Sequence, residues 1–143
     1  MFKSILVVCV GNICRSPMAE GLFRAKLGGR GIDVSSAGIG ALVGKEADPT
    51  AVELMEQRGI DISFHRARQL DRAQVRSSEL ILVMEAWHRQ EIEQHFPMAR
   101  GRVYTLGHWE QFDIPDPYRK PREAFELALK AIEQGVEAWM ERL

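Results

Sequence analysis

The sequence has 143 residues, is 45% hydrophobic and 27% charged, and carries a formal net charge of -1. Such a chain is long enough for one domain with a full core, which we place over residues 1–143, and too short for two ordinary domains. The near-zero charge excludes a strong electrostatic attraction to nucleic acid or to an anionic membrane. The longest apolar run, at 5–10, is too short to cross a bilayer, so we expect no membrane insertion.

The two cysteines, Cys9 and Cys14, lie within one short segment and cannot join distant parts of a fold. This placement favours reactive thiols over structural disulfides and indicates a cytoplasmic protein. The N-terminus has only Lys3 and no separate apolar region before a cleavage site, so we expect no secretory signal.

Strand-like and helix-like segments alternate along the chain. Continuous hydrophobicity predicts buried strands, and the pairs Ser16-Pro17 and Asp48-Pro49 predict helix starts, with the first residue of each pair as the N-cap. In chain order, the sequence predicts a strand at 3–10, a helix from Pro17 to Gly28, a strand at 33–37, a helix from Pro49 to Gly59, a helix at 71–76, a strand at 80–84, a helix at 86–95, a strand at 103–106 and a helix over 125–143.

This alternation predicts a parallel sheet with helices on both faces. In such sheets, ligands bind beyond the carboxyl ends of the strands, where the strand order reverses. The segment at 9–16, which we call the oxyanion loop, leaves the carboxyl end of the first predicted strand. It therefore lies where a binding site is expected.

The composition of the oxyanion loop suits a tetrahedral oxyanion above a thiolate. Backbone N–H groups of a tight loop at a helix N-terminus converge on an anion. Gly11 adopts positive φ freely, and Asn12 tolerates it better than most residues. Arg15 adds a planar charged fork, its positive field favours the thiolate of Cys9, and Ser16 can donate a hydrogen bond to that thiolate. The loop predicts phosphoryl transfer through a cysteine.

A second candidate segment, at 113–118, reads Asp-Ile-Pro-Asp-Pro-Tyr. Its prolines make it rigid, and displacement of an alkoxide or phenolate from phosphorus needs a proton donor. Asp113 or Asp116 could supply that proton, whereas an ordinary turn with a capping aspartate is the alternative interpretation. Tyr118 is either a core residue or a wall for an aromatic substrate.

Together these two segments resemble the low-molecular-weight protein tyrosine phosphatase family. Residues 8–17 match the phosphate loop of that family, and Asp116-Pro117-Tyr118 match its general-acid segment, in the same order along the chain. The resemblance spans nearly the whole sequence. It implies a single-domain, doubly wound α/β fold of flavodoxin or Rossmann type, with a four-stranded parallel sheet of order 2-1-3-4 and helices on both faces.

By this resemblance, Cys9 is the nucleophile and Asp116 protonates the leaving phenolate, then acts as base on the water that hydrolyses the phosphocysteine. Arg15 binds the phosphoryl group together with the loop. The other loop residues implied in substrate binding are Val10, Gly11, Asn12, Ile13, Cys14 and Ser16.

The resemblance also implies supporting roles. Ser16 stabilises the thiolate, and Asn12 holds the loop shape, bonded to His65 behind it. Cys14 matches the second cysteine of the family and could form a reversible disulfide with Cys9. No metal or other cofactor is required, because the arginine and the loop amides neutralise the transferring group.

Other features are similar to bacterial members that act beside the tyrosine autokinases of capsule and exopolysaccharide synthesis. The acid segment continues with Arg119-Lys120 rather than a second aromatic, and residues 40–45 lack a tryptophan. Leu42 and Tyr118 would then flank the phenyl ring in an open cleft. The implied substrate is a phosphotyrosine protein, such as the tyrosine-rich tail of a membrane autokinase.

Three alternatives share the fold. Thioredoxin-coupled arsenate reductases need further downstream cysteines, and this chain has none after Cys14. Phosphoarginine phosphatases carry threonine where Ile13 lies, so an apolar Ile13 favours an aryl phosphate. A non-catalytic phosphoprotein-binding module would be expected to lack the nucleophile or the acid.

One further group of residues suggests a metal site. His88, Glu91 and His95 share a predicted helical face, and a solvated helix surface is the more ordinary interpretation.

Overall fold

Four parallel strands form one sheet in the computed structural model, which describes residues 2–143. The strands are β1 (Ser4–Cys9), β2 (Asp33–Gly38), β3 (Leu80–Val83) and β4 (Val103–Thr105). The helices are α1 (Arg15–Leu27), α2 (Pro49–Glu56), α3 (Arg72–Ser77), α4 (Ala86–His95) and α5 (Arg122–Met140), and a short 3-10 turn spans Pro97–Ala99. The sheet order is β2-β1-β3-β4, so the predicted α/β fold with order 2-1-3-4 is confirmed.

Helices cover both faces of the sheet. Alternate side chains of a strand point to opposite faces, so Val7 and Cys9 join the core formed with α1, α2 and α5, whereas Leu6 and Val8 join the core formed with α3 and α4. The central strands are therefore apolar along their whole length, as the sequence predicts. Cys9 consequently ends β1 on the side covered by α1.

Helix α1 begins two residues earlier than the sequence predicts. Cys14 occupies the N-cap position, and no side chain caps the helix. Ser16 is therefore not the cap, and the prediction that it caps the helix is wrong. Its hydroxyl lies 2.9 Å from the Cys9 sulfur instead. An uncapped first turn leaves backbone N–H groups free to bind an anion.

The chain after β2 runs beside the oxyanion loop and continues the parallel pairing. The amides of Ile39, Gly40 and Leu42 donate to the carbonyls of Cys9, Val10 and Gly11. Gly38 makes this approach possible, because a Cβ atom there would lie 2.4 Å from the Val10 carbonyl oxygen. This pairing carries Leu42 to the rim of the loop.

The last helix packs as its apolar periodicity predicts. Its buried residues include Phe125, Leu129, Ile132, Val136 and Trp139. The predicted stripe extends to residue 143, whereas the helix ends at Met140. Within residues 2–143, no helix combines the length and the apolar character needed to cross a membrane.

Candidate active site

The Cys9 sulfur lies at the bottom of the oxyanion loop. The backbone N–H of Asn12 donates to it at 3.3 Å, and the Ser16 hydroxyl lies 2.9 Å away. Cys9 is 3% exposed, so it can be approached only through the loop opening. The sulfur thus contacts a backbone N–H and a hydroxyl at the bottom of the loop.

Asn12 holds the shape of the loop from inside. Its φ is 60°, a conformation that costs energy for most residues, and its side chain is fully buried. The amide nitrogen donates to the hydroxyls of Ser16 and Ser36 at 2.7 and 3.0 Å, and the amide oxygen accepts from Arg68 N at 2.9 Å. Every polar atom of this side chain therefore has a partner, and these bonds oppose the cost of the backbone conformation.

These bonds use the oxygens of Ser16 and Ser36 as acceptors and leave both hydroxyl protons free to be donated. Because the Ser16 oxygen accepts from Asn12, its own proton is free to be donated to the Cys9 sulfur. The Ser36 oxygen likewise accepts from Asn12, and it donates to Glu20 at 2.5 Å. A chain of hydrogen bonds thus runs from Glu20 to the thiol.

Arg15 is buried, and one end of its guanidinium is fixed. Nη1 donates to Glu85 at 2.6 Å and to the Ile114 carbonyl at 2.7 Å. Nη2 lies 3.7 Å from the Asp116 carboxylate. With both Nη1 hydrogens used, Nε and Nη2 remain available to grip two oxygens of a phosphoryl group.

His88 lies behind this ion pair and is completely buried. Its Nε2 is 3.5 Å from Glu85 Oε2. Burial lowers the pKa of His88 to about 4, and the Arg15 cation adds to this effect, while the carboxylates of Glu85 and Asp116 oppose it. The imidazole is therefore uncharged at neutral pH.

The segment at 113–118 lies across the mouth of the oxyanion loop. Asp116 accepts a hydrogen bond from the Tyr118 amide at 3.1 Å, and its side chain is 47% exposed. Asp113 accepts from the Ala86 amide at 3.2 Å at the start of α4. Of the two candidate acids, Asp116 lines the cleft, whereas Asp113 has a structural partner.

A cleft of about 150 Å³ opens above the Cys9 sulfur. Leu42 and Tyr118 stand on its rim, each more than one-third exposed. The Arg119 guanidinium lies 5.3 Å from the centre of the Tyr118 ring. The cleft is lined by Cys9, Val10, Gly11, Ile13, Cys14, Arg15, Gly40, Leu42, Asp116 and Tyr118. Its apolar walls and charged floor suit an aromatic phosphate.

The remaining predicted residues lie beside or beneath the loop. His65 Nε2 donates to the Asn12 carbonyl at 2.6 Å, so the imidazole supports the loop from behind. Cys14 is a free, buried thiol. Burial raises the pKa of the Cys14 thiol far above its usual value, and the Asp48 carboxylate adds to this effect.

The structure also corrects one prediction about the surface. His88, Glu91 and His95 do not form a solvated face, because His88 is buried against Arg15 and Glu85 while His95 is exposed. Within residues 2–143, no cluster of three or more His, Cys, Asp or Glu side chains is arranged to hold a metal ion.

Four residues touch this network although the sequence predicts no role for them in it. They are Glu20, Ser36, Glu85 and His88. Only Glu85 could have been predicted to lie near the site from the sequence, because it follows a buried strand by two residues at the carboxyl edge of the sheet. The contacts of the other three arise only when the helices are packed.

The comparisons with known proteins agree with this geometry. The model of the family described as low molecular weight phosphotyrosine protein phosphatase matches residues 4–143. A probable low molecular weight protein-tyrosine-phosphatase, EpsP of Ralstonia nicotianae, is 57% identical, over 100% of this chain and 97% of the relative.

Two solved structures bear on the site. The tyrosine phosphatase Wzb from Escherichia coli K30, in complex with sulphate, is 43% identical with a TM-score of 0.94 and covers 99% of each chain. The YwlE arginine phosphatase from Geobacillus stearothermophilus is 34% identical with a TM-score of 0.91, over 97% of this chain and 91% of that chain. The fold is thus shared by a tyrosine phosphatase and an arginine phosphatase.

The low pKa of His88 predicts a loss of stability on acidification. Between its ordinary pKa of 6.5 and its folded value of about 4, the imidazole takes up a proton in the unfolded chain but not in the folded one. The free energy of unfolding should therefore fall by about 2 kcal/mol more in the wild type than in His88→Asn between pH 7 and pH 5. Urea unfolding of both proteins at both pH values measures the difference. An equal fall in the free energy of unfolding in wild type and His88→Asn would contradict the prediction.

Proposed function

The chain belongs to the low molecular weight phosphotyrosine protein phosphatase family and is a protein-tyrosine phosphatase, and we propose that its reaction passes through a phosphocysteine on Cys9. The observation that carries this proposal is the convergence of Cys9, Arg15 and Asp116 on one cleft. A nucleophile, a phosphate-binding cation and a proton donor are the three parts that this displacement requires.

In the first step, the Cys9 thiolate attacks phosphorus as the phenolic oxygen leaves. The free Nε and Nη2 groups of Arg15 and the uncapped amides of the oxyanion loop hold the non-bridging oxygens. Asp116, at the mouth of the cleft, gives its proton to the departing phenolate. The P–S bond forms and the P–O bond to the tyrosine breaks.

In the second step, water replaces the cysteine. The Asp116 carboxylate now accepts a proton from the water that attacks phosphorus. The P–S bond breaks, and the electron pair returns to the Cys9 sulfur. The hydroxyl of Ser16 stabilises the thiolate that leaves, because its oxygen accepts from the Asn12 side-chain amide and its proton remains free to be donated to the sulfur.

The walls of the cleft support an aryl phosphate as the substrate. Ile13 is apolar and lines the cleft, and Leu42 and Tyr118 stand on either side of the space above it. A phenyl ring gains favourable contact with such walls, whereas a guanidinium would lose hydration against them and find a polar partner only at Asp116. Phosphoarginine is therefore the less favoured substrate, and retention of Cys9 and Asp116 argues against a module that only binds.

The biological partner we propose is a phosphotyrosine protein, namely the tyrosine-rich tail of a membrane tyrosine autokinase that controls polysaccharide production or export. The open rim at Leu42 suits a flexible tail, because an exposed leucine narrows the entrance less than a larger aromatic side chain. A tail on the inner side of a membrane places the phosphatase in the cytoplasm, where thiols also stay reduced.

Cys14 is proposed to protect the nucleophile. Peroxide oxidises the Cys9 thiolate to a sulfenic acid, and attack by the Cys14 sulfur then forms a disulfide and releases water. The raised pKa of Cys14 makes its thiolate scarce at neutral pH, so the second step accelerates as pH rises.

The role of Asp116 can be tested by leaving-group dependence. Asp116→Asn should lower kcat for phenyl phosphate by about 10²–10⁴-fold, because phenolate needs a proton in order to leave. The loss should be smaller for para-nitrophenyl phosphate, whose leaving group is a weaker base. Asp113→Asn is the matched control, since it keeps the oxygen that accepts from Ala86 and should remain near wild-type rates. An equal fall in kcat for both substrates would mean that a group other than Asp116 protonates the leaving oxygen.

Substrate class is tested with one peptide, of tyrosine-rich sequence like an autokinase tail, that carries phosphotyrosine, phosphoserine or phosphoarginine. We expect kcat/KM to be highest for phosphotyrosine, because only that ring contacts Leu42 and Tyr118. Cys9→Ser should lose turnover and still bind the phosphotyrosine peptide, with inorganic phosphate displacing it. Faster turnover of phosphoarginine would contradict the proposed substrate, and turnover by Cys9→Ser would move the nucleophile elsewhere.

Protection by Cys14 predicts reversible inactivation. Mild peroxide should abolish activity, dithiothreitol should restore it, and mass spectrometry should find a Cys9–Cys14 disulfide in the inactive protein. In Cys14→Ser, recovery should be incomplete because Cys9 proceeds to the sulfinic acid. Equal recovery in both proteins would refute the protective role.

A further inference from the structure

One buried titratable side chain near the site, His88, takes no part in the two displacement steps. His88 lies in the first turn of α4 and is 0% exposed. Burial of an imidazole is unfavourable unless its nitrogens have partners. Nε2 of this ring has no hydrogen-bond partner within residues 2–143, and it lies next to the Arg15–Glu85 ion pair.

The hydrogen bonds of the ring fix its tautomer. Nδ1 accepts a hydrogen bond from the Glu85 amide at 3.3 Å, so the proton of the neutral imidazole lies on Nε2. Within residues 2–143, Nε2 has no hydrogen-bond partner, and it lies 3.5 Å from Glu85 Oε2. That oxygen is the same atom that receives Arg15 Nη1 at 2.6 Å.

The surroundings hold the ring in place and keep it uncharged. Trp87 packs edge-on against the imidazole, with centroids 4.3 Å apart. The charged groups that act on the ring are Arg15, Glu85 and Asp116. A cationic side chain at this position would compete with Arg15 for the carboxylate, whereas a neutral N–H donor orients the carboxylate without drawing it away.

We propose that His88 is a positioning residue for phosphate binding: its Nε2–H orients the Glu85 carboxylate, which in turn fixes the Arg15 guanidinium. If the carboxylate rotates, Nη1 loses its charged partner, and the Nε and Nη2 edge no longer faces the loop opening in one orientation. Phosphate affinity and transition-state stabilisation should both decrease, because both depend on a preorganised guanidinium. This inference rests on the proposed role of Arg15.

Two amide substitutions separate the two nitrogens of His88. The amide of Gln reaches the position of Nε2 and can still donate to Glu85, whereas the amide oxygen of Asn reaches the position of Nδ1 and can only accept from the Glu85 amide. His88→Asn should lower kcat/KM for para-nitrophenyl phosphate by about tenfold and raise the Ki of inorganic phosphate. His88→Gln should keep both values within about twofold of wild type. Thermal unfolding of each variant reports separately on the fold.

Coupling to Glu85 provides the second readout. In a Glu85→Gln background, the added effect of His88→Asn on kcat/KM should largely disappear, because the group that His88 orients is already altered. Full additivity of the two substitutions, or a larger loss in His88→Gln than in His88→Asn, would overturn the proposal and leave His88 as a helix-start contact. Arg15→Lys tests the premise independently: an unchanged phosphate Ki there would refute the proposed role of Arg15 instead.

Discussion

The buried positive charge of Arg15 is the constraint on which the site depends. An arginine cannot shed its proton, so burial requires a charged partner and further hydrogen-bond acceptors. Glu85, just beyond β3, and the Ile114 carbonyl, beyond β4, supply them. The segments that follow three different strands are therefore fixed relative to one another by a single guanidinium, and removal of the Glu85 carboxylate would take away its nearest anionic partner.

A second constraint acts within the oxyanion loop. The loop turns through a left-handed Asn12, and that conformation persists because Ser16, Ser36 and the Arg68 amide satisfy the side chain. The same bonds orient the Ser16 hydroxyl toward the sulfur. Local strain and thiolate stabilisation thus have one structural cause, so a change that relaxes the loop also changes the nucleophile.

How far the site can be predicted from sequence follows from the range of each interaction. Cys9 and Arg15 share one short loop, so their residue types and the strand before them are enough to predict the site. The capping role predicted for Ser16 is wrong because a hydroxyl before a proline has two possible partners, the helix amides or the thiolate, and only the folded loop selects between them. The burial of His88 is not predicted, because helical periodicity does not reveal that the start of α4 packs against Arg15.

The charge balance of the site limits how much of a phosphoryl group's charge Arg15 alone can offset. The Arg15 charge is offset by Glu85 at 2.6 Å and partly by Asp116 at 3.7 Å. The uncapped amides at the start of α1 can supply further attraction for a phosphoryl group, because they carry partial positive charge. An unpaired arginine would bind substrate, transition state and phosphate product alike, and such uniform binding slows release without speeding the chemistry. By the same argument, the Glu85 carboxylate anchors the guanidinium and weakens its attraction for any phosphate group, product included.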